Sequence, residues 1–205
     1  MSNADTRVGI LISGRGTNMV ALVEAMLAGR VPAVPAVVVS NVPGAAGLAR
    51  AGELGVATEI VDHRGIRPRE AHEQAVAQAL ADHGVRWVCL AGYMRLLRGP
   101  LLAAFPNRIL NIHPSLLPAF PGLDAQEQAL AYGVRIAGCT VHLVDEQCDH
   151  GPIVAQAAVP VLDGDDVAAL SARILAEEHR VYPEALRRLI VDPWRIEGRS
   201  LRFGS

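Results

Sequence analysis

Short apolar runs of strand length alternate along the chain with longer stretches in which apolar residues recur every three or four positions. The second spacing is typical of amphipathic helices, and short runs bounded by turn residues are typical of buried strands. Because strands and helices alternate, the pattern predicts an α/β, Rossmann-like fold, with a mainly parallel twisted sheet and helices on both faces. The predicted strands of this part lie at residues 8–12, 34–40, 56–61, 87–91 and 108–111.

The alternation changes after a short helix predicted at residues 126–132. Two further strands are predicted at residues 139–144 and 153–159. The loop between them is too short to hold a crossover helix, so the two strands should pair with each other as an antiparallel extension of the sheet.

One more helix and a tail complete the chain. Asp165 or Asp166 is placed to cap a long helix, and Pro183 is expected to end or kink it before the helical pattern resumes as far as residue 190. No clear element is predicted beyond that point. Since 205 residues suit one sizeable core, the chain is interpreted as a single domain over residues 1–190 with a C-terminal tail over 191–205.

Composition and charge narrow the range of partners. Hydrophobic residues make up 51% of the chain, and Lys and Arg total 19 against 21 Asp and Glu. Without a basic excess to neutralise nucleic acid or an anionic membrane, small molecules are the expected partners. Residues 1–6 lack the regions of a signal peptide, which predicts a cytoplasmic protein. Cys89, Cys139 and Cys148 are scattered, which favours reduced thiols and no metal site.

A glycine-rich segment, Ser13-Gly14-Arg15-Gly16-Thr17-Asn18, follows the first strand and precedes a helical pattern. This order is a phosphate-binding arrangement, because glycines admit an anion to the backbone and a helix N-terminus offers free amides. The segment is neither a dinucleotide fingerprint nor a P-loop, since it lacks the third glycine of the first and the Gly-Lys end of the second. A plain strand-to-helix turn capped by Asn18 is the alternative.

A second candidate site, Asn111-Ile112-His113-Pro114, follows the fifth strand. Asn111 and His113 are two residues apart, so in a strand their side chains point to the same side. An amide and an imidazolium aimed at one point suit acyl transfer through a tetrahedral intermediate, without an enzyme nucleophile. Asp149 would keep the imidazole charged if it lies within reach. The alternative is a core histidine bonded to a backbone carbonyl.

Three other features stand out from the pattern. Arg69 lies in the first turn of a predicted helix, where a cation opposes the helix dipole, and a surface salt bridge is the alternative to a ligand-binding role. Residues 94–97 carry large apolar side chains after the fourth strand, which fit either the core or a slot for a flat ligand. Glu178 falls near the buried stripe of the last helix and therefore needs a protein donor or a ligand as partner.

Five motifs together carry a resemblance that spans residues 7–190. The motifs are Ser-Gly-Arg-Gly-Thr-Asn from Ser13, Ala-Gly-Tyr-Met-Arg-Leu-Leu from Ala91, Asn-Ile-His-Pro-Ser-Leu-Leu-Pro from Asn111, Asp-x-Gly-Pro-Ile from Asp149 and Glu-His-x-x-Tyr-Pro from Glu178. With these motifs the chain resembles the phosphoribosylglycinamide formyltransferases, a family of folate-dependent enzymes of purine synthesis.

The resemblance implies transfer of a formyl group from 10-formyltetrahydrofolate to the amine of 5-phosphoribosylglycinamide, without a metal, by a protein that is a monomer or a homodimer. Asn111 and His113 would stabilise the tetrahedral intermediate, and Asp149 would tune the histidine and relay a proton. By the same resemblance, Gly16, Thr17, Asn18 and Glu178 bind the ribotide, and the folate is bound by Arg69, Met94, Arg95, Leu96, Leu97 and Asn111.

Three positions depart from the family pattern. Thr17 replaces a common serine and keeps the hydroxyl, Asp124 stands where a histidine is usual, and His150 replaces a frequent small residue. Related formyl-handling enzymes are competing interpretations, namely formyltetrahydrofolate deformylase and methionyl-tRNA formyltransferase, which usually carry an additional domain. A non-catalytic folate- or nucleotide-binding module is a further alternative, because a fold does not guarantee chemistry.

Overall fold

The computed structural model describes residues 6–204. Apart from Thr6, the residues considered for a signal peptide lie outside this part of the chain. Strands and helices alternate as predicted. The elements are β1 (Arg7–Ile12), α1 (Thr17–Leu27), β2 (Val34–Ser40), α2 (Ala46–Glu53), β3 (Thr58–Ile60), α3 (Arg69–Asp82), β4 (Trp87–Leu90), α4 (Pro100–Ala104), β5 (Ile109–His113), α5 (Ala125–Tyr132), β6 (Ile136–Leu143), β7 (Ile153–Pro160), α6 (Val167–Val191), β8 (Trp194–Glu197) and β9 (Ser200–Phe203).

The strands of residues 6–204 form one sheet in the order β3-β2-β1-β4-β5-β6-β7-β9-β8. Strands β1 to β5 pair in parallel, whereas β6 runs antiparallel to both β5 and β7. The predicted fold class, including the antiparallel extension, is therefore confirmed. The strand order reverses at β1, which lies between β2 and β4, and in open α/β sheets ligands bind at the carboxyl ends of strands beside such a reversal.

The buried side chains of residues 6–204 form two clusters, one on each face of the sheet. Ile10 and Ile12 of β1 belong to the cluster that includes residues of α1 and α6, and Leu11 between them belongs to the cluster that includes residues of α3. Successive residues of a strand point to opposite faces, so this division places helices on both sides of the sheet, as predicted.

Helix α6 packs along one face and carries part of the candidate site. Asp166 caps it by accepting a hydrogen bond from the N–H of Ala169 at 2.7 Å, which decides between the two predicted caps. The helix does not end at Pro183 but continues to Val191. Within residues 6–204, none of the helices combines the length and the apolar content that crossing a bilayer requires.

The expectation that no regular element follows residue 190 is wrong. Strands β8 and β9 form a hairpin around Gly198, whose φ is +61°, and Ser200 pairs with Ile153 of β7, which places the hairpin at the edge of the sheet. Trp194 packs against Trp87 with ring centroids 6.2 Å apart. Large apolar residues alternate on either side of a glycine in this segment, so the hairpin signal was present in the sequence.

Candidate active site

Three side chains that were predicted to act together lie close to one another beside the end of β5. The carboxylate of Asp149 is 3.3 Å from Nδ1 of His113 and accepts a hydrogen bond of 3.4 Å from Nδ2 of Asn111. Asn111 and His113 point to the same side of the strand, as their spacing predicts. The side chains of His113 and Asp149 are only 5% and 12% exposed. An amide, an imidazole and a carboxylate thus share one largely desolvated position.

Asp149 reaches this position because β6 is antiparallel to β5. Leu143, the last residue of β6, pairs with Leu110 near the start of β5, so the loop that follows must return along β5 to bring Asp149 to Asn111. The N–H of Gly122 donates to Oδ2 of Asp149 at 2.8 Å and holds the carboxylate there. Asp149 therefore lies within reach of His113, the condition set in the sequence analysis, and the antiparallel register of β6 brings it there.

Both ring nitrogens of His113 face oxygen acceptors. Nε2 lies 2.8 Å from the carbonyl oxygen of Phe120, and Nδ1 faces Asp149. A neutral imidazole has one N–H and the imidazolium has two, so the protonated ring satisfies both contacts at once. The bond to Phe120 is the one expected of a core histidine, but the second contact with a buried carboxylate is not part of that alternative.

Asp149 remains ionised at neutral and mildly acidic pH. Burial raises the pKa of its carboxyl group, but His142, the N–H of Gly122 and the charge of His113 together outweigh burial and bring the pKa to about 2. The backbone of Asp149 has a left-handed φ of +49°, a conformation that few residues other than glycine, asparagine and aspartate adopt readily. The loop therefore holds a charged carboxylate in a defined place.

His142 is a residue of this site that sequence reasoning missed. It pairs directly with Asn111 across β5 and β6 and is 2% exposed. Its Nδ1 lies 2.9 Å from the carbonyl oxygen of Leu143, and its Nε2 lies 3.2 Å from Nδ2 of Asn111 and 3.7 Å from Oδ1 of Asp149. His142 thus orients the amide of Asn111. A polar residue inside an apolar strand was the available signal, but its partner depends on the strand register.

The glycine-rich loop lies at the reversal in strand order. Gly16 precedes α1 with a left-handed φ of +71°, and a Cβ at this position would lie only 3.0 Å from Cα of Gly47. Glycine is therefore required both for the turn and for the close approach of α2. Among the described side chains none caps α1, so the alternative in which Asn18 is a helix cap is wrong. The first amides of a helix have no partner within the helix itself.

The side chain of Asn18 instead crosses to α6. Its Nδ2 donates to Oε2 of Glu178 at 2.7 Å. Glu178 is 7% exposed, and burial raises its pKa although the bond from Asn18 acts in the opposite direction. The amide oxygen of Asn18 is buried without a hydrogen-bond partner among the described residues. A half-satisfied pair of this kind can accept and donate further hydrogen bonds to a polar ligand.

Tyr182 holds this part of α6 in place, one helical turn after Glu178. The fully buried hydroxyl lies 3.0 Å from the carbonyl of Leu90 and 3.1 Å from that of Leu110. It therefore ties the helix to the end of β4 and to the start of β5. Sequence reasoning included Tyr182 in a motif without assigning it this role.

The segment after β4 divides into exposed and buried side chains. Met94 and Leu96 are 65% and 47% exposed, whereas Leu97 is 4% exposed and Arg95 is half-buried. The core interpretation thus holds for Leu97, whereas a slot for a flat ligand stays a prediction that the exposed Met94 and Leu96 permit.

Ser13 links this segment to the glycine-rich loop. Its hydroxyl accepts from the N–H of Met94 at 2.8 Å and donates to Oδ1 of Asn41 at 2.6 Å. The two predicted binding segments, which follow β1 and β4, are therefore hydrogen-bonded to each other.

Arg69 begins α3, and its Nε lies 3.4 Å from Oε1 of Glu73. The salt bridge proposed as the alternative is thus present. However, the side chain of Glu73 is only 4% exposed and that of Arg69 is 34% exposed, so the pair is largely buried rather than on the surface.

Two of the three residues that depart from the family pattern, Asp124 and His150, lie in loops around the site. His150 contributes to loop structure, since its Nδ1 is 2.9 Å from Asp145 and Arg199 of the hairpin donates both to its ring and, at 2.6 Å, to its carbonyl oxygen. Asp124 is exposed beside α5, and nothing in the structure explains its carboxylate. A cavity of about 470 Å³ lies between the loop that carries Asp149 and the C-terminal hairpin, and its lining includes Asp149 and Arg199.

Residues 6–186 match the model of the formyl transferase family. The chain belongs to this family. The predicted resemblance is therefore confirmed for almost the whole length over which it was argued.

Individual relatives of this formyl transferase agree with that assignment. It is 39% identical over 184 residues to the phosphoribosylglycinamide formyltransferase of Bacillus subtilis, covering 90% of this chain and 94% of that one. It also matches the crystal structure of glycinamide ribonucleotide transformylase 1 from Symbiobacterium toebii with a TM-score of 0.97 and 55% identity, covering 98% and 95% of the two chains. Identity to the trifunctional purine biosynthetic protein adenosine-3 of Gallus gallus is 45% over 181 residues, but the chain spans only 18% of that protein.

Proposed function

We propose that this formyl transferase moves the formyl group of 10-formyltetrahydrofolate to the amine of 5-phosphoribosylglycinamide, giving formylglycinamide ribotide and tetrahydrofolate. The observation that carries the proposal is the contact of Asp149 with both Asn111 and His113 in a member of this family. The names of the relatives from Bacillus subtilis and Symbiobacterium toebii support the choice of acceptor.

The ribotide binds along the N-terminus of α1. Its phosphate lies on the loop at Gly16 and Thr17, where backbone amides and the positive end of the helix dipole attract an anion. Asn18 and Glu178 bind the ribose hydroxyls, because their pair retains an unpartnered amide oxygen and a carboxylate with further acceptor capacity.

The folate binds at the end of β4. Met94 and Leu96 offer exposed apolar side chains to a flat ring, with Arg95 and Leu97 forming the base of the same segment. The guanidinium of Arg69 offers a positive charge to the carboxylates of the folate tail. Asn111 reaches the formyl end, since the transferred group must meet the catalytic side chains.

Charge and proton movements define the roles of the catalytic residues. The amine adds to the formyl carbon, which leaves negative charge on the formyl oxygen, and Asn111 and His113 stabilise that charge with their N–H groups. An oxyanion at Nε2 of His113 takes the place of the Phe120 carbonyl, which is the acceptor observed there. The carbon–nitrogen bond to the folate then breaks, and Asp149 orients a water that carries the proton from the amine to the departing nitrogen.

Mass detection of the products tests the proposal. The protein is incubated with both substrates, and formylglycinamide ribotide and tetrahydrofolate should appear in equal amounts. Folded protein that yields neither product would contradict the proposed activity. Formate released equally with and without the ribotide would instead identify a hydrolase, and binding of both ligands without turnover would identify a binding module.

The remaining expectations concern the setting of the reaction. We propose that the protein acts on these small molecules in the cytoplasm as a monomer or a homodimer, without nucleic-acid or membrane partners. Sedimentation of the protein with and without substrates would distinguish the two oligomeric states, and a larger assembly would contradict both.

A further inference from the structure

Glu73 is a buried carboxylate whose position the reaction does not by itself explain. It lies one turn into α3 and is 3% exposed. Burying a charge is costly unless it is paired and hydrogen-bonded. Both oxygens of Glu73 accept from the N–H of Arg98, at 2.9 and 3.1 Å, and Oε1 also lies 3.4 Å from Nε of Arg69.

These contacts join two separate parts of the chain. Arg69 belongs to α3, whereas Arg98 follows the segment at residues 94–97 after β4. The Nε and Nη2 atoms of Arg69 are buried and have no hydrogen-bond partner among the described residues. The charge of Glu73 is therefore what holds the guanidinium, and the same carboxylate anchors the backbone at Arg98.

We propose that Glu73 is a positioning residue for the formyl donor, and this inference rests on the proposed function. It holds the cation of Arg69 and the segment at residues 94–97 in one arrangement, so that the charged tail and the flat ring of a folate meet both surfaces at once. Loss of this link loosens the folate site but leaves Asn111, His113 and Asp149 in place.

Two substitutions separate the two contacts of Glu73. Glu73→Gln keeps an oxygen that can accept from the N–H of Arg98 but removes the charge beside Arg69. Glu73→Ala removes both. We expect KM for 10-formyltetrahydrofolate to rise about tenfold in the first variant and further in the second, which corresponds to weaker folate binding. The turnover number and KM for the ribotide should stay within about twofold.

Glu70→Gln is the matched control, because Glu70 is an exposed glutamate in the first turn of the same helix. A double-mutant cycle adds Arg69→Ala and Arg69→Ala/Glu73→Gln. If Glu73 acts through Arg69, the two effects on folate KM are non-additive, since removal of one partner abolishes the contact. Amide hydrogen exchange gives a readout besides activity, and exchange at Arg98 should accelerate in Glu73→Ala more than in Glu73→Gln.

The outcomes separate this inference from the proposed function. A wild-type protein that makes no formylated product overturns the proposed function, and this inference with it. An active wild type whose Glu73 variants lower thermal stability or turnover while folate KM is unchanged overturns only the role of Glu73, because that pattern belongs to a residue that merely packs α3.

Discussion

At the scale of single residues, the proposed reaction needs hydrogen-bond donors where negative charge develops on the formyl oxygen. Asn111 and His113 present their N–H groups around one buried carboxylate. We therefore expect Asn111→Ala or His113→Ala to lower kcat by about a hundredfold to a thousandfold, as loss of one oxyanion donor does in other enzymes. Steady-state kinetics with both substrates should show KM values close to wild type. The exposed Gln74→Ala serves as the control, and variants that raise only KM would contradict a role in the chemistry.

Glu178 should make stability depend on pH. Burial raises its pKa, so the folded protein holds this proton more tightly than the unfolded chain does. The stabilising contribution is present below the unfolded pKa and is lost as pH rises through the folded pKa. Glu178→Gln carries no charge and still accepts from Asn18, so it should be more stable than wild type at pH 8.

Urea unfolding at several pH values measures this difference. The advantage of Glu178→Gln should shrink as pH falls through the folded pKa and should be gone near pH ~4, the ordinary pKa of a glutamate. In the same variant, KM for the ribotide should rise, because the proposed contact with a ribose hydroxyl loses a charged acceptor. A constant difference between the two proteins from pH 4 to 8 would show that burial does not act on this carboxylate as inferred.

The types of the residues allowed us to predict which side chains lie close together, but not which hydrogen bonds they form. Asn111, His113 and Asp149 could be grouped because two lie in a short motif and because an amide donor, an imidazole and a carboxylate suit one acyl-transfer site. The bond from Asn18 to Glu178 spans 160 positions in the sequence, and no local pattern encodes it. The pairing of His142 with Asn111 likewise depends on the register of β6 against β5.

At the scale of elements, the loop before α1 should contribute binding rather than chemistry. In the proposed function it would hold a part of the ribotide remote from the reacting amine, and interactions made equally in the ground and transition states affect KM. Asn18→Ala or Thr17→Ala should therefore raise ribotide KM more than it lowers kcat. Thr17→Ser keeps the hydroxyl and should resemble wild type. If initial rates instead show a lower kcat at unchanged KM, the loop takes part in the chemical step.

Elements with a clear pattern of apolar residues were predictable from the sequence. Elements whose bounds depend on tertiary contacts were less predictable. Strand β2 was predicted with its observed bounds because its apolar run is long and bounded by turn residues. Strand β3 is shorter than predicted, since it lies at the edge of the sheet and pairs only with β2 through three residues. The helix through Pro183 persists because α6 packs along its buried side, an effect that local propensity cannot show.

At the scale of the whole molecule, one sheet brings the site together from distant segments. The reversal at β1 places the glycine-rich loop beside the end of β4, and Ser13 joins the two through Met94. Alternation of strands and helices predicts the mainly parallel sheet from the sequence, but not the strand order that makes β1 and β4 neighbours. It does not predict the C-terminal hairpin's contact with the active-site loop, because that contact is made by Arg199, a turn residue with no pattern of its own.

The hairpin should stabilise the loop that carries Asp149. Trp194 packs on Trp87 and donates its indole N–H to the carbonyl of Leu189 at 3.0 Å, while Arg199 at the turn bonds His150. We expect Trp194→Ala to lower the free energy of unfolding by about 2 kcal/mol, less than for a fully buried tryptophan because Trp194 is half-buried.

Hydrogen exchange distinguishes a local effect from a global one. If the hairpin holds the loop, amides at residues 145–151 should exchange faster in Trp194→Ala than the change in global stability requires, and kcat should fall because Asp149 is less well placed. Arg202→Ala, an exposed substitution on β9, is the control. Uniformly faster exchange with unchanged kcat would mean that the hairpin only extends the core, since the loop would then keep its structure without Arg199.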